Sequence, residues 1–174
     1  NRTIFFDYTS ESESGNDFTK WDVLGKFPWI FGIFGGIEKQ NDIRGNFALM
    51  NERLSLAKKD AMCRGMVFWP EFSHGNPLNL YYLSKNAWEE DTPSIDALLD
   101  SFCEERYEKE NAGAMLSIWK KILPIARLMS WTGPTDGTLP CDDLFEHIQK
   151  RAPFNAEETK KNETIFANFI ETKD

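Results

Sequence analysis

Apolar and polar positions follow two rhythms along this chain, and the rhythm changes near residue 91. Short apolar runs come first. Thr3-Ile4-Phe5-Phe6-Asp7-Tyr8 reads as a strand that ends in an acid. Phe27 to Phe34 reads as a second strand, opened by Pro28 and closed by Gly35-Gly36. Gly65-Met66-Val67-Phe68-Trp69 is a third, predicted to be buried and stopped by Pro70, which has no N–H to give to a ladder. Between the second and third, Ile43, Phe47, Met50, Leu54 and Ala57 share one face of a 3.6-residue period, with Asn41 or Asp42 available as the cap.

A second helix is predicted from Asn76 as N-cap and Pro77 at the first helical position. Leu78, Tyr81, Tyr82 and Trp88 form its apolar face. Thr9 to Asn16, T-S-E-S-E-S-G-N, is a polar loop, and Phe18 to Lys26 holds a helical turn around Trp21. Residues 1–91 thus read strand, loop, strand, helix, strand, helix, the alternation of a parallel α/β unit.

Past residue 91 the pattern is helical. Thr92-Pro93 opens a helix with Ile95, Leu98, Leu99 and Phe102 on one side. Gly113 to Arg127 carries Met115, Ile118, Trp119, Ile122 and Leu123 at helical spacing, with a kink expected at Pro124. Residues 131–140 form a turn-rich loop. Asp142 or Asp143 caps a short helix with Leu144, Phe145 and Ile148, and a last segment from Asn155 carries Ile165, Phe166, Phe169 and Ile170. The division is therefore 1–91, α/β, and 92–174, helical.

Composition narrows the possibilities. The 174 residues suffice for one domain with a core. They fall short of the roughly 250 of an eight-stranded α/β barrel. A chain that starts at Asn1 reads as processed or cut from something longer. A net charge of -8 and a pI near 4.9 argue against a general nucleic-acid surface. No window approaches the roughly 20 apolar residues of a membrane span. Cys63, Cys103 and Cys141 are far apart and odd in number, and read as buried thiols.

The candidate chemistry is that of carboxylates. His74 and His147 are isolated, no Cys/His cluster has metal-ligand spacing, and neither G-x-S-x-G nor a phosphate-binding glycine motif occurs. Neither a metal nor a cofactor is expected. Glu71 follows Pro70 at the carboxyl mouth of the third strand, where parallel α/β barrels keep their catalytic side chains. Walled by Trp69 and Phe72, with His74 and Asn76 nearby, it suits a sugar-processing site; the alternative is an acid that is solvated or caps the next helix. Asp7 also sits at a strand end, and two carboxylates across a cleft suit glycoside hydrolysis. For Asp7 we favour a structural acid bonded to loop backbone. Among the aromatics, Trp69 and Trp131 are expected to face a ligand, whereas Tyr81, Tyr82, Trp88 and Trp119 lie at helical spacing and read as core. Asn76 is a good N-cap whatever else it does.

At these residues the chain resembles the alpha-N-acetylglucosaminidases of glycoside hydrolase family 89. That family's nucleophile motif has a Met-x-Pro-Glu-like strand end, an Asn five residues after the Glu, and a Trp twelve residues after that Asn. Pro70-Glu71, Asn76 and Trp88 keep this spacing. D-A-L-L-D-S-F-C-E-E-R-Y at Asp96 to Tyr107 looks like the family's helix ending in Arg-Tyr. I-F-F-D-Y-T-S-E at Ile4 to Glu11 and P-W-I-F at Pro28 to Phe31 resemble two upstream barrel segments. Asp143 to Phe145, with Ala152-Pro153, echoes the helical domain more thinly. The chain departs from the family in lacking a His-Asn pair before its Phe-Gly-Gly turn, where it has G-I-F-G-G at Gly32 to Gly36.

The resemblance implies an α/β fold: the C-terminal portion of a (β/α)8 barrel followed by an all-α helical region. It implies part of a retaining exo-glycosidase acting on alpha-linked N-acetylglucosamine or a related sugar. Glu71 would be the nucleophile, and the acid/base Glu would lie on an earlier strand, in the remainder of the same polypeptide. Trp69, His74, Asn76 and Trp131 are the expected carbohydrate contacts. A secreted or lysosomal location is what the family suggests. A non-catalytic carbohydrate-binding or scaffold protein is the alternative, and a helical region that docks another chain is a third. Open sheet edges predict association.

Overall fold

The computed structural model of the protein describes residues 3–10, 16–34, 45–70 and 76–128, with residues 157, 160, 164 and 167 beyond them. The strands β1 (Phe5–Phe6), β2 (Trp29–Ile33) and β3 (Cys63–Phe68) form a parallel sheet in the order β1-β2-β3. Helix α1 (Phe47–Lys59) connects β2 to β3, and α2 (Pro77–Trp88), α3 (Ile95–Arg106) and α4 (Lys109–Leu128) follow. The architecture is mixed α/β with neighbouring parallel strands, as the alternation of patterns predicts.

Boundaries moved where side chains compete with the ladder or offer a better cap. β1 is only two residues long because the Asp7 carboxylate pulls the next residues into a turn. Asn46 caps α1 through Leu49 N, and Ser94 caps α3 through Ala97 N. α4 begins at Lys109, four residues before the predicted Gly113, and runs through Pro124 to Leu128. Around Trp21 the chain makes hydrogen-bonded turns, Lys20 N to Asp17 O and Trp21 N to Phe18 O. The turn at Gly35-Gly36, Asn41, Asp42, Ile43, Cys141, loop 131–140, the helix expected from Asp142 or Asp143 and the segment opened by Asn155 lie outside the described residues.

The buried cluster lies on one side of the sheet. Trp29, Phe31 and Ile33 of β2 meet Phe47, Met50, Leu54 and Ala57 of α1 and Leu78, Tyr82 and Leu83 of α2. Leu99, Phe102, Cys103 and Trp119 join them from α3 and α4. Phe18 stacks on Trp29 at 4.4 Å between ring centroids. Trp29 is fully buried, and its Nε1 donates to Asp60 Oδ2 at 2.8 Å. Burial pushes the Asp60 carboxyl up, but hydrogen bonds from Met62 N, Trp29 Nε1 and Gly25 N outweigh it and hold the group below the usual range.

The expectation of a buried third strand is corrected. Arg64, Gly65 and Val67 are exposed, and Cys63, Met66 and Phe68 are half-buried. Cys63 is thus not a buried thiol, whereas Cys103 is. The register supplies the reason. Phe31 pairs with Met66 and Ile33 with Phe68 on the helix side, while Phe6 pairs with Ile30 and Gly32 with Val67 on the other. None of Phe6, Ile30 and Val67 packs against the buried cluster. Parallel sheets ordinarily have both faces covered, so an apolar face without a described layer over it is unusual. Among the described residues no helix is long and apolar enough to cross a membrane.

Candidate functional site

In open parallel α/β sheets, ligands bind outside the carboxyl ends of the strands. Here that edge is formed by Asp7 after β1, Phe34 after β2 and Trp69 after β3. Trp69 N donates to Ile33 O at 2.9 Å, which extends the β2–β3 ladder by one residue. Pro70 has no N–H, so the ladder ends there. The Trp69 side chain is 56% exposed.

Across the edge, Phe6 stacks against Trp69 with centroids 6.5 Å apart and planes 18° off parallel. Tyr8 leans on Phe6 at 6.1 Å. Gly32 of β2 lies between the outer strands, and a Cβ there would stand 2.7 Å from Phe6 Cε2 and 2.0 Å from Asp7 O. Only glycine lets the Phe6 ring and the β1 backbone come this close.

Beneath this edge is a buried polar network. Asp7 Oδ1 accepts from Thr9 N and Thr9 Oγ1, and Asp7 Oδ2 from Ser10 Oγ and Phe18 N. Ser10 N donates to Gly32 O at 3.3 Å, and Thr9 forms an antiparallel bridge with Ile33. From α1, Arg53 Nη1 donates to Ser10 O, and Arg53 Nη2 lies 2.8 Å from Asp17 Oδ2. Asp17 Oδ1 accepts from Thr19 N and Thr19 Oγ1, a local turn. A buried charge costs several kcal/mol unless it is compensated; Asp17 is paired with Arg53 and accepts from Thr19, and Asp7 is held by four hydrogen bonds.

Asp7 is therefore a structural acid. Its oxygens are held by the loop that it organises, and it is fully buried. Asn76 caps α2, with its Oδ1 accepting from Asn79 N at 3.1 Å. The structure brings Trp69 to the carboxyl edge. Glu71, Phe72, His74 and Trp131 lie outside the described residues. Sequence reading missed Phe6, Gly32, Asp17 and Arg53. Only Asp17-Phe18-Thr19 carried a local signal, the spacing of an Asx turn. The others are joined only by the fold.

Among the described residues no group of three or more His, Cys, Asp or Glu could hold a metal ion. No family model, curated protein or solved structure matches the chain.

Proposed function

We propose that the chain carries the nucleophile of a retaining exo-glycosidase acting on alpha-linked N-acetylglucosamine or a related sugar. The observation that supports this best is Trp69, exposed at the carboxyl end of a parallel strand two residues before Glu71. In the first step a Glu71 carboxylate oxygen bonds to the anomeric carbon as the glycosidic C–O bond breaks. A second carboxyl group gives its proton to the leaving oxygen. It then takes a proton from the water that cleaves the glycosyl-enzyme.

That second carboxyl is not Asp7, whose oxygens are engaged by Thr9, Ser10 and Phe18. We assign it to an earlier barrel strand outside these residues, with the described sheet as the barrel's C-terminal portion. Retaining chemistry needs the two groups about 5–5.5 Å apart, so the 174-residue chain alone should be inert.

The test is hydrolysis of an aryl alpha-N-acetylglucosaminide by a protein extended to include that strand, beside its Glu71→Gln variant and the 174-residue chain. Turnover by the extended protein, lost in the variant, is expected. Turnover that survives the substitution would sink the assignment. A non-catalytic carbohydrate-binding protein is the second reading, favoured by G-I-F-G-G at Gly32 to Gly36 in place of the family's His-Asn pair. It predicts sugar capture with no turnover in any form.

A further inference from the structure

Trp69, Phe6 and Tyr8 are not independent exposed aromatics. Phe6 lies nearly parallel to Trp69, Tyr8 touches Phe6, and the absent side chain of Gly32 makes room for the Phe6 ring. These residues belong to the sheet face that no described helix covers and stand at its carboxyl end. Trp69 and Tyr8 keep 56% and 49% of their surface exposed.

We infer that Phe6, which lies over Gly32, forms with Tyr8 and Trp69 a preassembled aromatic floor that takes the apolar face of an uncharged pyranose ring. The inference rests on the glycosidase reading and deepens it by naming the surface that selects the sugar. Several observations point to this occupant. A pyranose presents axial C–H groups on one face, and aromatic faces carry the partial negative charge that attracts them. The floor has no charged side chain, and its polar groups are the Tyr8 hydroxyl and the Trp69 indole N–H. A chain with a net charge of -8 also repels sulfated or carboxylated sugars, which favours a neutral one. Sequence continuity puts Glu71 two residues beyond the floor's largest ring. Phe6 and Tyr8 are thus specificity-determining residues, and Gly32 is a positioning residue that acts through Phe6.

The experiment titrates the 174-residue chain with methyl alpha-N-acetylglucosaminide, followed by saturation-transfer NMR and tryptophan fluorescence. Trp69→Ala is expected to weaken capture about tenfold and Phe6→Leu several-fold. The N-sulfated glucosamine analogue is expected to bind more weakly than the neutral sugar. Because Trp69 is exposed, its replacement should leave circular dichroism unchanged, so the test stands even if Phe6→Leu misfolds. Equal capture by parent and Trp69→Ala overturns the floor and leaves the Glu71 assignment intact. No capture by the parent overturns it too, and a dimer that Trp69→Ala converts to monomer would assign this face to a second copy of the chain. Capture that depends on Trp69, beside turnover in the extended protein that ignores Glu71→Gln, overturns the glycosidase reading and keeps the floor.

Discussion

Arg53 on α1 reaches Asp17, in the connection between β1 and β2, at 2.8 Å, and both side chains are buried. The same guanidinium donates to Ser10 O. One cation on α1 therefore ties down both Ser10 and Asp17. Removing either partner leaves the other charge buried and uncompensated. Arg53→Met or Asp17→Asn should each cost about 3–5 kcal/mol in urea unfolding. The double change to Met and Leu should cost less than the two singles summed, because it strands no charge. Additive losses would mean that the pair contributes nothing as a pair.

Gly32 sets how closely β1 approaches β2. A methyl group there meets Asp7 O at 2.0 Å and Phe6 Cε2 at 2.7 Å. Gly32→Ala should lower stability by about 3 kcal/mol, at the upper end of overpacking. Adding Phe6→Ala should not restore it, since the backbone clash with Asp7 remains. Thermal melts of the single and double variants check this.

Asn76 has an established structural role and a proposed contact role, and two substitutions separate them. Asn76→Ala removes the acceptor for Asn79 N and should cost about 1 kcal/mol. Asn76→Asp keeps a capping oxygen, and its melting temperature should stay close to the parent's. Loss of turnover in the extended Asn76→Asp protein, with its melt unchanged, would identify a sugar contact separate from the cap.

Asp60 ties the amino end of β3 to β2 through Trp29 Nε1 and to the preceding turn through Gly25 N. Its pKa is lowered in the folded chain, so the ionised form favours folding. That contribution is full above the unfolded carboxylate value and is lost as pH falls through the folded one. The melting-temperature gap between parent and Asp60→Asn should be open at neutral pH and close in acid. A gap that is constant with pH would exclude the linkage.

Much of the fold is legible in the chain because periodicity is a local property. Phe47, Met50, Leu54 and Ala57 marked the buried face of α1 by spacing alone, and Asn76-Pro77 marked the start of α2. Trp69 was legible as a strand-end aromatic because Pro70 fixes where the ladder must stop. The apolar run in β3 could not reveal whether one or both faces would be covered. A continuous hydrophobic strand reads the same in either case, and only the register with β2 shows Val67 on the open side. The sequence by itself determined the order of the described elements, the buried face of α1 and the strand-end position of Trp69. Tertiary structure decided that Asp7 organises a loop, that Arg53 meets Asp17 and that Phe6 reaches Trp69 over Gly32. Those residues are far apart in the chain, and only strand pairing and helix packing bring them together.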